Sequence, residues 1–172
     1  FEEAGLPPGV LNIITGPGSA IGDTLVTHPM VKGISFTGST DTGSRLYSMG
    51  AGQLKKVQCE MGGKNAVIVL SDADIEKALN AVVAGVFGST GQRCTATSRL
   101  IIEDAIYDSF ISALIDMTKK LRIGYGLLPG IDIGPASSEE QLEQILRYIE
   151  LGKVEGATLA YGGNRITGAE FD

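Results

Sequence analysis

Gly33-Ile34-Ser35-Phe36-Thr37-Gly38-Ser39-Thr40 is the stretch from which the rest of this chain is read. Its apolar, partly β-branched run reads as a strand. Gly38-Ser39 reads as a turn, and Thr40 to Met49 as the helix that follows. The same order recurs upstream. Pro7-Pro8-Gly9 breaks the chain, Val10 to Ile14 reads as a buried strand, and Gly16-Pro17-Gly18 turns into a short helix from Ile21 to His28, closed by Pro29. Downstream, Val57 to Glu60 and Ala66 to Leu70 are strand-like runs separated by Gly62-Gly63. Ile75, Leu79, Val82, Val83 and Val86 then form a helical stripe, with Ser71-x-x-Asp74 as a capping box at its start. Ser98 to Glu103 is predicted as a strand, and Tyr107, Phe110, Ile111, Leu114 and Leu121 mark a long amphipathic helix. A loop over Gly124 to Ser137 follows. Ser138-x-x-Gln141 caps a helix carrying Leu142, Ile145, Leu146 and Ile149, and Ala157 to Tyr161 is predicted as a last strand. Strands alternating with helices imply an α/β fold, with parallel open sheets and flanking helices. Ligands of such sheets bind at the carboxyl ends of the strands.

Composition narrows the function classes. Apolar residues make up 43% and charged residues 20% of the 172, a globular balance. Fourteen basic against 20 acidic residues give a net charge of −6, and no more than two basic residues are adjacent. Nucleic acid and anionic membrane are therefore poor partners. No apolar run approaches the roughly 20 residues of a membrane span. Two cysteines, Cys59 and Cys94, make no disulfide framework. Without a secretory signal, the expected setting is cytoplasmic. The chain starts at Phe1-Glu2-Glu3-Ala4-Gly5 and stops at Gly168-Ala169-Glu170-Phe171-Asp172, and it reads as a segment of a longer protein.

Two glycine-rich turns lie where a ligand of the sheet would sit. Gly16-Pro17-Gly18-Ser19-Ala20-Ile21-Gly22 is a degenerate dinucleotide fingerprint: Ile21 stands where Gly or Ala belongs. No acidic residue at the end of the second strand offers a ribose ligand. Phe36-Thr37-Gly38-Ser39-Thr40-Asp41-Thr42-Gly43 is the better candidate, since free N–H groups at a helix start, with the Ser39 hydroxyl, can hold a pyrophosphate. The plain alternative is an N-cap by Ser39 or Thr40, and both can hold together.

Gly91-Gln92-Arg93-Cys94-Thr95 and Glu60-Met61-Gly62-Gly63-Lys64-Asn65 carry the chemistry. A cysteine is more often a small core residue than a nucleophile, but the polar neighbours of Cys94 are no core pattern. Arg93 could favour the thiolate or serve a structural ion pair. Glu60 could be an ordinary solvated strand end; partial burial beside Gly62-Gly63 would suit it as a base near neutral pH. Cys59 should face the opposite side of the strand from Glu60 and is expected to be structural. His28, the only histidine, is expected to close a helix. Two cysteines and one histidine make a poor zinc set, so no metal is expected. Gly63-Lys64 is not a phosphate loop, because Gln58 and Asn65 stand where Gly and Ser or Thr are required.

Taken together, Glu60 and Cys94 in these settings resemble the two signature motifs of the aldehyde dehydrogenase superfamily. Phe36-Thr37-Gly38-Ser39 resembles the family's Phe-Thr-Gly-Ser element. Leu6-Pro7-Pro8-Gly9-Val10-Leu11-Asn12, Asp72-Ala73-Asp74 and Gly134-Pro135 with Ser138 resemble further ordered elements, so the likeness covers nearly the whole chain. The resemblance implies residues 1–61 as the C-terminal part of a Rossmann-like nucleotide-binding domain and 62–172 as a truncated N-terminal part of the catalytic domain. It implies an aldehyde, of the semialdehyde kind such as 2,5-dioxovalerate, oxidised to the acid with NAD or NADP. Cys94 would be the nucleophile and Glu60 the base that activates water. Cofactor contacts would come from Gly16, Pro17, Gly18, Phe36, Thr37, Gly38, Ser39, Thr42, Gly43, Glu60, Met61 and Gly62. A homo-oligomer is expected of the full-length protein, and little or no activity of this segment alone. The rival readings are a thiol acyl-transfer enzyme and a non-catalytic nucleotide-binding relative.

Overall fold

The structure, a computed structural model, describes residues 1–168 and 171; Ala169, Glu170 and Asp172 at the chain end lie outside the described residues. Its contacts divide the chain into two compact units, Phe1–Gly62 and Gly63–Asp172.

In the first unit, strands β1 (Gly33–Gly38) and β2 (Lys56–Met61) pair in parallel, with Ile34 opposite Val57, Phe36 opposite Cys59 and Thr37 opposite Glu60. Helix α1 (Gly18–Thr27) precedes the sheet and helix α2 (Thr40–Ala51) connects its strands. Helix α2 lies on the face made by Ile34, Phe36, Val57 and Met61. It comes close because two of its contact positions lack a side chain: a Cβ at Gly43 would stand 2.6 Å from the Met61 sulfur, and one at Gly50 2.5 Å from Val57. Ser39 caps α2, its Oγ accepting the Thr42 N–H at 3.2 Å. His28 closes α1 as expected: its N–H bonds to Leu25 O, and its Nδ1 accepts the Met30 N–H.

Val10 to Ile14 forms no strand. The run is irregular and exposed, Ile13 at 83%, because a strand needs a ladder partner and none of the described residues pairs with it. Helix α1 also begins three residues earlier than predicted, at Gly18, with Pro17 as its N-cap.

In the second unit, β3 (Asn65–Val69) and β4 (Thr97–Ile102) pair in parallel, and helices α3 (Ile75–Phe87) and α4 (Tyr107–Thr118) pack together beside them. The core is Val69, Leu79, Val82 and Phe110, the last two 0% and 1% exposed, ringed by half-buried Val67, Val86, Leu100, Ile102 and Leu114. Leu79, Val82 and Val86 of the predicted α3 stripe thus face the core, while Ile75, at the helix start, is exposed. Its cap differs from the prediction: Asp74, not Ser71, accepts the Lys77 N–H, because Ser71 lies four residues before the first helical residue and gives its own N–H to Glu103 at 2.6 Å. Ser138 caps helix α5 (Glu139–Val154) by accepting the Gln141 N–H, as the sequence predicts. Ala157 to Tyr161 is not a strand; as with Val10 to Ile14, no described strand lies beside it. Ile68 and Ile101, on the sheet face away from α3, are more than half exposed.

Candidate active site

The first unit gathers its candidate residues at one end. Asp23 and Arg45, each the sixth residue of its helix, pair at 2.6 Å. Lys55, just beyond the end of α2, donates to Val26 O and His28 O at the end of α1. Helices α1 and α2 therefore run side by side in one direction, with both N-termini at the carboxyl end of β1. Among the described residues, Gly18 and Ser19 of α1 and Thr40 and Asp41 of α2 have N–H groups without a partner. The two ends are finished differently. Ser39 caps α2 and also hydrogen-bonds Thr42 through their hydroxyls at 3.0 Å. Pro17 offers α1 no cap at all, and a Cβ at Gly16 or Gly18 would meet nothing within 4 Å. An uncapped helix start in open space, beside a second helix start with a hydroxyl, suits a diphosphate. The degenerate Gly16-Pro17-Gly18 turn is thus at least as open to an anion as the turn at Gly38-Ser39.

Glu60 lies at the same end, on β2 beside Thr37. Its carboxylate accepts from Gln58 Nε2 at 3.3 Å and is exposed, so of the two settings the sequence left open it has the solvated strand end and not the partial burial that would suit a base. The reason is layering: α2 covers the other face of β1 and β2. Cys59 sits on that covered face, half-buried, its Sγ–H donating to Gly43 O at 3.6 Å. The alternation along β2 separates the two neighbours as predicted.

Cys94, in the second unit, is exposed. It follows a 3₁₀ segment, Gly88–Gly91, in which Ser89, Thr90 and Gly91 all have φ between 54° and 66°. Left-handed backbone costs Ser and Thr about 1–2 kcal/mol each, so other contacts must hold it. Gly91 has no alternative, since a Cβ there would stand 2.8 Å from Val86 O. Thr90 Oγ1 accepts the Gly134 N–H at 3.2 Å. Gln92 donates to Pro135 O at 3.0 Å and accepts the Ser137 N–H at 2.8 Å. Arg93 donates to Ala84 O at 3.1 Å, near the end of α3. It forms neither the thiolate contact nor the ion pair that the sequence left open; its guanidinium donates instead to a helix-end carbonyl that also accepts the Gly88 N–H. Asn65, the first residue of β3, donates to Cys94 O at 2.7 Å and to Ala96 O at 3.1 Å. The Cys94 N–H has no partner among the described residues. The turn thus presents a thiol and a free backbone donor together.

Sequence reasoning missed Asn65, Thr90 and Gln92 as supports. Thr90 and Gln92 reach residues more than 40 positions away, and no periodicity marks them. The polar run around Cys94 was the one available signal. Among the described residues, no three metal-ligating side chains cluster and no helix is long and apolar enough to cross a membrane.

Comparison with known proteins bears on the whole of this arrangement. Residues 1–171 match the aldehyde dehydrogenase family. An alpha-ketoglutaric semialdehyde dehydrogenase of Bacillus subtilis is 47% identical over 171 residues, covering 99% of this chain and 35% of that protein. A 2,5-dioxopentanoate dehydrogenase of Saccharolobus solfataricus is 46% identical over 173 residues, covering 99% of this chain and 36% of the other. The crystal structure of a betaine aldehyde dehydrogenase from Staphylococcus aureus in complex with NAD+ superposes with a TM-score of 0.93 at 38% identity, over 99% of this chain and 34% of that one. The chain therefore spans about a third of the length of the relatives it matches.

Proposed function

This chain belongs to the aldehyde dehydrogenase family, and we propose that it is the part of an NAD(P)-dependent aldehyde dehydrogenase that carries the nucleophile and the general base. The observation that carries the reading is Cys94 itself: an exposed thiol beside a free backbone N–H, on a turn kept in a costly conformation by hydrogen bonds from distant segments. A core cysteine needs none of this.

In this reading the Cys94 thiolate attacks the aldehyde carbon to form a thiohemiacetal. The Cys94 N–H donates to the oxygen that becomes negative and stabilises it. A nicotinamide dinucleotide, when bound, would supply the hydride acceptor, and loss of hydride from the Cys94 adduct would leave a thioester on that sulfur. Glu60 takes a proton from water, the resulting hydroxide attacks the thioester carbon, and the C–S bond breaks to release the acid and restore the thiolate. The paired starts of α1 and α2 would hold the diphosphate through Gly16, Pro17, Gly18, Ser39 and Thr42, with Phe36, Thr37, Gly38 and Gly43 shaping that end. Glu60, Met61 and Gly62 would border the nicotinamide side. Residues 1–61 are then the end of the nucleotide-binding domain, and 62–172 the start of the catalytic domain.

Two of the relatives bear names that denote one semialdehyde, which supports a semialdehyde acid as substrate. Assembly as a homo-oligomer would belong to the full-length protein. The test is aldehyde-dependent NADH or NADPH formation by the full-length protein, with 2,5-dioxopentanoate and betaine aldehyde compared. The proposal expects turnover with the semialdehyde preferred, and little or none from the 172 residues alone. No reduction of either cofactor by the full-length protein with any aldehyde, or ester hydrolysis without a cofactor as its only activity, contradicts it.

A further inference from the structure

The Cys94 turn is held from three segments, and the hold from the start of β3 has a geometry of its own. Residues Ala66 to Val69 of β3 pair regularly with Arg99 to Ile102 of β4, but Asn65 pairs with Thr97, so Ser98 is left over as a bulge. A bulge re-aims the side chains beside it. Here Ser98 Oγ–H bonds back to Asn65 O at 3.4 Å, while Arg99 donates twice, at 2.9 and 2.6 Å, to Lys64 O. The backbone on both sides of Asn65 is thereby fixed. Its side chain points to the Cys94 turn and meets two carbonyl oxygens, of Cys94 and Ala96. Carbonyls only accept, so the amide nitrogen must be the atom that faces them. Between those carbonyls the turn closes by a single backbone bond, Ala96 N–H to Arg93 O at 3.1 Å.

We propose that Asn65 is a positioning residue for Cys94: its two amide protons clamp the carbonyls of Cys94 and Ala96 and so fix where the sulfur and the Cys94 N–H point. A side chain that only completed the sheet would have no reason to bridge two carbonyls of one turn. An angular error of the nucleophile acts on bond formation and leaves cofactor binding alone, so the clamp belongs to kcat. This inference rests on the proposed function.

The experiment compares the full-length protein with Asn65→Ala and with Asn65→Asp, which keeps the shape and removes both donors; if the alanine variant does not fold, the aspartate variant carries the test. Steady-state kinetics and amide hydrogen exchange are measured on each. The expected result is a fall in kcat of about 10- to 100-fold with the cofactor KM unchanged, and faster exchange confined to Arg93–Thr97. Unaltered kcat and exchange would overturn the proposal. So would a loss of kcat matched by equal loss of cofactor affinity and faster exchange throughout α3 and α4, the mark of general support. If the unaltered full-length protein oxidises no aldehyde, the functional reading fails on its own account. Exchange then decides the clamp: local acceleration sustains it, and none ends it.

Discussion

The two cysteines of this chain are held in opposite ways. Cys59 lies in a regular strand, where alternation turns its sulfur under α2 and a backbone carbonyl takes its proton. Nothing in that arrangement needs cysteine in particular; a small apolar residue would fit it. Cys94 lies in no regular element. Asn65 holds its carbonyl, Thr90 and Gln92 tie the preceding turn to the loop at Gly134 to Ser137, and Arg93 ties it to α3. A strand places a side chain with local information alone. The exposed thiol of Cys94 follows a costly backbone and takes supports drawn from three separate segments. That expense marks function more reliably than the residue type does.

The sharpest way to break the comparison is substitution. In the full-length protein, Cys94→Ala is expected to lower aldehyde oxidation by at least about 10³-fold, as loss of a covalent nucleophile does. Cys59→Ala should leave the rate within a few-fold, with its effect confined to thermal stability. Equal losses of rate would erase the distinction.

A second prediction concerns the scaffold behind the turn. Phe110 is 1% exposed at the centre of the second unit's core, and Phe110→Ala should cost about 3–5 kcal/mol in denaturant unfolding. Ile101→Ala, on the uncovered face of β4, should cost well under half of that. Comparable costs would mean that the uncovered face is packed in solution.

The smallest effect is one of pH. Asp74 is held below its ordinary 3.8 by hydrogen bonds from the Lys77 side chain and then the Lys77 N–H, and Glu103 below its ordinary 4.5 by hydrogen bonds from Ser71. A depressed carboxyl contributes stability that is present above the ordinary value and disappears as pH falls through the folded one. Both groups are on the surface, so the contribution is small. Unfolding curves should lose a little stability below about pH 4.5, and Asp74→Asn with Glu103→Gln should flatten that slope. An unchanged slope would mean neither bond forms in solution.

Much of the fold was legible in the sequence, and the misses share one cause. β1, β2, β3 and β4 follow from apolar runs between glycines, and α3 from its stripe, because in each the information is local. Val10 to Ile14 and Ala157 to Tyr161 are also largely apolar yet form no ladder, since a strand exists only with a neighbour and none of the described residues supplies one. Cys94 and Glu60 were legible as residues in unusual company. The setting of Glu60 was not: its exposure follows from which face α2 covers, which no single run of sequence states. Asn65 was passed over because its role depends on a one-residue bulge opposite it in β4.

The most direct test of the account is to stop the reaction midway. Full-length protein carrying Glu60→Gln, mixed with aldehyde and NAD or NADP and quenched in acid, should hold the acyl group of the substrate on the Cys94 peptide by mass spectrometry, with Cys59 unmodified. Acylation of Cys59, or no acylation at either cysteine while acid is still formed, would contradict the central claim that Cys94 is the covalent nucleophile and Glu60 the base that releases its thioester.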